Sequence, residues 1–347
     1  MTQGAPPPPP LPPANLDEIR GLLKDMPGPD GEAGEAAARH QGQLTKPAGS
    51  LGRLEDLAVW LATWQGRQPP RLERPLTAVF AGNHGIAARG VSAYPAEVTR
   101  QMVKNFLDGG AAVNQLCGLA ASDLRVFEMD LDQPTADFST APAMSGEDCA
   151  RAMAYGMLAV EPGIDVLQLG EMGIGNTTSA AALCHALFGG SATDWVGRGT
   201  GIDNAALAHK TAVVEAAVAH HRNALTDPLE ILRHVGGLEL AAIAGAVLAA
   251  RRARVPVLLD GYACTAAAAV LHAIDPAALD HCQVAHVSVE PGHRRLLERL
   301  GKRPLLDLDM RLGEASGAVL GLLLLKAAVA CHTGMATFAQ AGVSGPA

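Results

Sequence analysis

Aromatic side chains are scarce: six Phe, three Tyr and three Trp make up 3% of the 347 residues. The core must therefore be built from Ala, Leu, Val and Gly, and a hydrophobic content of 48% is ample for one large domain or two smaller ones. Positive charge is also in deficit. With 27 Lys and Arg against 35 Asp and Glu the net charge is −8, which argues against nucleic acid as a partner, since a nucleic-acid groove needs clustered cations. The six cysteines (Cys117, Cys149, Cys184, Cys264, Cys282, Cys331) are scattered without CxxC spacing. They fit free thiols in a reducing cytoplasm better than disulfides or a zinc site, and no metal is expected. No apolar run reaches membrane-spanning length free of Gly and charge; the nearest, Ala318 to Ala330, is interrupted by Lys326, so no membrane partner is expected. A basic segment followed by an apolar run is missing from the N-terminus, so no secretory signal is read. Two nucleotide signatures are missing as well. There is no GxxxxGK[ST], and Gly197-Arg198-Gly199-Thr200-Gly201 is GxGxG rather than GxGxxG. An ATPase or a nicotinamide-dependent dehydrogenase is disfavoured, and no cofactor is expected.

What is present has a clear order. Residues 1–14 carry Pro6 to Pro10 and Pro12-Pro13 and read as an extended, solvated tail. Asn15 with Glu18 three residues later reads as a capping box that opens a helix. Pro27 to Gly34 reads as a Gly/Pro/Asp break, and Arg53 to Trp64 as a helix with Leu54, Leu57, Ala58 and Leu61 on one face. Beyond the polar linker Gln65 to Arg74 the pattern becomes strand then helix, repeatedly. Strands are expected at Thr77 to Ala81, Arg125 to Met129, Asp165 to Leu169, Val255 to Leu259 and Gln283 to Val289. Helical or glycine-rich segments follow at Asp108 to Leu119, Ser179 to Phe188, Asp203 to Leu225 (Asp203 as N-cap) and Ala263 to Ala273. This alternation implies an α/β fold, a Rossmann-like parallel sheet flanked by helices. Its ligand site belongs at the carboxyl ends of the strands, which read Gly82-Asn83-His84-Gly85, Gly170-Glu171-Met172-Gly173, Asp260-Gly261-Tyr262 and Glu290-Pro291-Gly292-His293. Helical sequence returns at the C-terminus. The expected division is a tail at 1–14, N-terminal helices of a small domain at 15–70, a large nucleotide-binding domain at 71–300, and a catalytic loop with further small-domain helices at 301–347.

The stretch Gly170 to Thr178 joins an apolar strand to an alanine-rich helix through Gly173-Ile174-Gly175-Asn176-Thr177. Free N–H groups and the helix dipole at such a junction favour an anion, and the glycines let the backbone approach it; the bland reading is a tight turn with no ligand. Glu171 repels phosphate, so it makes sense facing a part of the substrate that becomes positive. Gly199 and Gly201 offer further backbone donors. Lys210 either reaches the same anion or is a solvated helix lysine. Glu314, at the start of the apolar Ala318 to Ala330 helix, is under opposed influences: burial raises a carboxyl pKa and a helix N-terminus lowers it. It reads either as a base poised near neutrality or as a helix-initiating cap. His84 is catalytic or lines its loop. His293, His332 and His220-His221 have no metal-ligand spacing and read as structural or surface groups.

Taken together, Lys46 to Glu55, Gly82 to Gly85, Val91 to Thr99, Gly109 to Ala112, Gly170 to Thr178, Gly199 to Gly201, Asp260-Gly261, Glu290 to His293 and Asp309 to Gly317 resemble the nicotinate-nucleotide:dimethylbenzimidazole phosphoribosyltransferases, with the motifs in order across about residues 44 to 340. The resemblance implies transfer of the 5-phosphoribosyl group of nicotinate mononucleotide to 5,6-dimethylbenzimidazole or a related azole, with inversion, for the lower-ligand nucleotide of cobalamin. It assigns the proton acceptor to Glu314, places Glu171 and Lys210 beside the ribose phosphate, and lines the azole site with Tyr94, Met102, Leu312 and Gly313. It also implies a second, smaller helical domain built from both chain ends, and a homodimer. Two other readings stay open beside it: a phosphorylase-like nucleotide-ribosyl enzyme, and a non-catalytic nucleotide-binding sensor.

Overall fold

Five short strands, β1 (Pro75–Ala81), β2 (Asp123–Glu128), β3 (Val166–Met172), β4 (Val257–Leu259) and β5 (Cys282–Val284), form one parallel sheet in the order β2-β1-β3-β4-β5. The computed structural model describes residues 12–345, so most of the proline-rich tail lies outside the described residues. Side chains alternate between the sheet faces with the strand period of two. Ala78 and Phe80 of β1, Leu167 and Leu169 of β3, and Val257 and Leu259 of β4 join one apolar cluster; Val79, Val166 and Leu258 join a second on the opposite face. A parallel sheet needs both faces covered. The first is covered by helices that include Asn176–Phe188, Leu238–Arg252 and Tyr262–Ile274, the second by Arg53–Gln65, Ala112–Ala120 and Ser316–Gly334. Segments from both chain ends thus share the second cluster, and Leu44 and Thr337 are joined by an antiparallel bridge.

The shortage of aromatics is made up by close backbone approach. Helices Gly146–Met157 and Leu238–Arg252 touch at Gly156 and Gly245, where an added Cβ would collide with the carbonyls of Ala242 and Met153. Small side chains bring the backbones together, and the dense contact replaces bulky side chains.

The expected strands are all present, with shifted ends. The largest correction is at β5, which stops at Val284 rather than Val289: its neighbour β4 is three residues long, and beyond it Val287 N donates to Leu306 O instead. The break at Pro27 to Gly34 ends early, because Asp30 accepts from Ala33 N and caps a helix at Gly31–Gln41. Helix Asn176–Phe188 begins three residues before the expected Ser179, and Asn204–His221 starts after Asp203 as the N-cap, as expected. Ser316–Gly334 runs past Lys326, whose ammonium is satisfied by the carbonyl of Ala120. By length and composition alone this is the one helix among the described residues able to cross a membrane. Here Ala318, Val319, Leu322 and Leu325 are buried in the second cluster, so the helix is part of the core.

Candidate active site

Between β1 and β3 the strand order reverses, and a sheet of this order opens a crevice there at the carboxyl ends of the strands. A cavity of about 670 Å³ occupies it, walled by the turn after β3, by the Val91 to Met102 segment, and by the loop before Ser316–Gly334. Ser92 and Ala93 are tied to Thr200 Oγ1 at 3.2 and 3.1 Å, which closes one rim.

The turn itself is shaped by two glycines. An added Cβ on Gly173 would lie 2.6 Å from Gly82 O, and Gly175 has φ +97°, a conformation that side chains disfavour. Ile174 N donates to Thr99 Oγ1 at 3.2 Å and Asn176 N to Gly173 O at 3.1 Å. The N–H groups of Gly175 and Thr177 meet no backbone acceptor among the described residues. They stand at the start of Asn176–Phe188 on the cavity wall, an arrangement suited to a phosphate.

Lys210 is not the solvated lysine that its helical position allowed. It is fully buried, and Nζ donates to Thr177 Oγ1 at 2.8 Å and Gly197 O at 3.1 Å. Burial lowers its pKa to about 8, with Glu290 acting the other way. Its reach is indirect: Lys210 sits behind Thr177, outside the cavity wall. The loop of Gly199 and Gly201 is also used differently from expectation. Gly199 N donates to Glu290 Oε1 at 2.8 Å and Gly201 N to Arg198 O at 2.9 Å, so neither N–H is free for an anion.

Glu171, next to last in β3, lines the cavity. Burial pushes its carboxyl up to about 8; the charges of Asp260 and Glu239 add to this, and the hydrogen bond from Asn176 Nδ2 opposes it. A cationic group brought into the cavity would draw it back to the charged form.

Glu314 lies beside Glu171. Gly313, Glu314 and Ala315 have φ +80°, +61° and +61°, three successive left-handed residues ahead of Ser316–Gly334. Left-handed backbone costs a non-glycine residue about 1–2 kcal/mol, and such strain gathers at functional sites. The capping reading of Glu314 is excluded, since the free donor Ala318 N is taken by Asp260 Oδ1 at 2.8 Å. Glu314 is left as a buried carboxyl on the cavity wall, raised to about 7 by burial and then by the charge of Asp260. Its backbone is anchored by Glu314 N donating to Glu171 O at 3.2 Å, and Gly170 lets the loop lie against β3.

Tyr94, Met102, Leu312 and Gly313 all line the same cavity, with Tyr94 and Leu312 more than half exposed at its mouth. His293, His221 and His332 are buried and hydrogen-bonded to neighbouring protein groups, in keeping with their structural reading. His84 lies beneath the turn and does not line the cavity. Reasoning from sequence passed over Asp260, His286, Ser288, Glu290 and Arg311 as individual site residues. In the sequence Asp260 and Glu290 stand out only as members of strand-end motifs, and His286 falls inside the overlong fifth strand.

A phosphoribosyltransferase family model matches residues 26–343. A nicotinate-nucleotide–dimethylbenzimidazole phosphoribosyltransferase of Methylocella silvestris is 59% identical over 332 residues, 96% of this chain and 97% of that one. One of the same name from Rhizobium meliloti is 59% identical over 95% of this chain and 97% of its own. Among solved structures, CobT from Thermus thermophilus superposes with a TM-score of 0.85 at 45% identity, covering 91% of this chain and all of that one.

Proposed function

The chain belongs to the nicotinate-nucleotide–dimethylbenzimidazole phosphoribosyltransferase family, and from that premise we propose which of its groups carry the transfer. It is a pentosyltransferase that moves the 5-phosphoribosyl group of nicotinate mononucleotide to 5,6-dimethylbenzimidazole or a related azole, in assembly of the cobalamin lower ligand. The 5′-phosphate sits on the Gly173 to Thr177 turn, held by the N–H groups of Gly175 and Thr177, with Lys210 supporting Thr177 from behind. Tyr94, Met102, Leu312 and Gly313 receive the azole. A lone pair of one azole nitrogen forms the new bond to C1′ from the face opposite nicotinate. The C1′–N bond breaks with its electron pair going to the pyridine nitrogen. The proton on the other azole nitrogen passes to Glu314. The products are α-ribazole 5′-phosphate and nicotinate. Glu171 faces the positive charge that gathers on the ribosyl carbon. In this reading the helices of both chain ends act as a smaller domain, and the protein works as a cytoplasmic homodimer.

The observation that carries this assignment is Glu314: a buried carboxyl that caps nothing, held in strained backbone on the cavity wall, with its pKa raised to about 7. Chromatography of a mixture with nicotinate mononucleotide and dimethylbenzimidazole tests it, and nicotinate and an α-ribotide should appear together. Nicotinate release that requires inorganic phosphate would instead indicate a phosphorylase, and binding without turnover a sensor.

Two further results are expected. Because protonated Glu314 cannot accept a proton, and the bound cationic nucleotide holds Glu171 in its charged form, kcat should fall about tenfold per pH unit below about pH 7 and level off above it. A profile flat down to pH 5 would remove Glu314 as the base. Gly175→Val should weaken nicotinate mononucleotide binding by about 10- to 100-fold, since a β-branched residue at φ +97° distorts the turn by about 1–3 kcal/mol. Unchanged affinity in a calorimetric titration would place the phosphate elsewhere.

A further inference from the structure

His84 leads out of β1 and is buried directly under the phosphate turn, yet the transfer does not use it. Its Nε2 lies 2.6 Å from Glu239 Oε1 and its Nδ1 3.0 Å from Ser179 Oγ, and all three side chains are buried. Each partner comes from a different element. Glu239 is in the first turn of Leu238–Arg252, where the helix dipole favours its charge, and Ser179 belongs to Asn176–Phe188, the helix that presents the turn.

Glycines leave room for the pair on three sides. A Cβ on Gly82 would come within 2.7 Å of Glu239 Oε2, one on Gly237 would collide with the His84 ring, and one on Gly173 would come within 3.2 Å of His84 Nε2. A Cβ added at Gly175 would come within 3.5 Å of the Cβ of His84, next to Ala87. Both glycines of the turn therefore have this histidine as a near neighbour, and it is held at both ring nitrogens. A buried carboxylate–imidazole pair is a weak source of stability but a strong constraint on geometry.

We propose that the His84–Glu239 pair, with Ser179, is the positioning element of the phosphate turn: it holds Gly173 to Gly175 in the shape that turns the N–H groups of Gly175 and Thr177 to the nucleotide. The proposal rests on the phosphate occupying this turn. Neither residue touches substrate, so both act on nucleotide binding; loss of the Glu239 charge only eases ionisation of Glu171, and proton transfer at Glu314 is left alone.

The test is steady-state kinetics of Glu239→Gln, which keeps the shape and removes the charge. Inorganic phosphate serves as the competing probe. KM for nicotinate mononucleotide and the inhibition constant of phosphate should both rise about tenfold or more, the scale of one broken buried pair, while kcat and KM for the azole stay within about threefold. Ser179→Ala should move the same two constants in the same direction by about threefold. It decides the matter if Glu239→Gln does not fold, and a Glu239→Asp variant should restore part of the loss. Wild-type constants in the folded variants, or a fall in kcat alone, would overturn the proposal. Comparison with Gly175→Val separates the two levels. If that variant binds the nucleotide normally, the phosphate assignment itself fails. If it binds weakly while Glu239→Gln and Ser179→Ala bind normally, only the positioning role fails.

Discussion

In Glu314→Gln, turnover should fall by about 10²–10⁴-fold, the range for a positioned general base, while affinity for nicotinate mononucleotide stays within a few-fold. Glutamine keeps the size of the side chain and its place beside Asp260 but cannot take the azole proton. In the proposed arrangement the nucleotide is anchored on the separate turn after β3, so its binding should be spared. The same change should stabilise the free protein at alkaline pH. Burial raises the Glu314 carboxyl from 4.5 to about 7, so the folded state holds a proton that the unfolded chain has lost. That contribution is complete below about pH 4.5 and disappears as pH rises through 7, where wild type must bury a charge and the variant need not. The gain at pH 8 should be on the order of 1–3 kcal/mol and vanish near pH 4. Initial rates and thermal unfolding at the two pH values check both halves. A variant with full activity would take Glu314 out of the mechanism.

Gly170→Ala should be nearly as damaging, although the residue contacts no substrate in the proposed arrangement. The new methyl would strike the backbone of Ala315, 2.5 Å from its Cα, and neither β3 nor the start of Ser316–Gly334 can move aside without disturbing the core. The Gly313 to Ala315 loop is the part free to shift, and it carries Glu314, the proposed base, with it. Misplacing a reacting group by about 1 Å costs on the order of 10²-fold, and overpacking costs about 1–3 kcal/mol of stability. Gly118→Ala is the matched control. It sits in helix Ala112–Ala120 with nothing within 4 Å of the added Cβ, and activity should be unchanged. Equal activity of the two variants would show that the loop does not depend on contact with β3.

Much of the architecture follows from patterns local to the chain. A strand followed by an alanine-rich helix repeats often enough to require a parallel sheet, and its ligand end is marked by glycine-rich turns. Boundaries were less legible where pairing decided them. The apolar run through Val289 is strand-like in composition, but its neighbour β4 pairs only with Cys282 to Val284, so His286 is freed for the cavity. A helix likewise begins at Gly31, inside a stretch rich in glycine and proline, because Asp30 supplies the cap.

The sequence by itself determined the α/β class, the glycine turn at Gly173 to Thr177 and the family, because each depends on residue type and spacing along a few consecutive turns. Only the tertiary structure decided what the charged groups do. Whether Lys210 is solvated or buried, whether Glu314 caps a helix or stands free of it on the cavity wall, and whether Gly199 offers its N–H or gives it to Glu290 depend on partners 33, 58 and 91 residues away: Thr177 for Lys210, Asp260 for the Ala318 amide, and Glu290 for Gly199. Hydrogen bonds and desolvation act through space, and the pKa of a carboxyl is set by neighbours that chain order does not reveal.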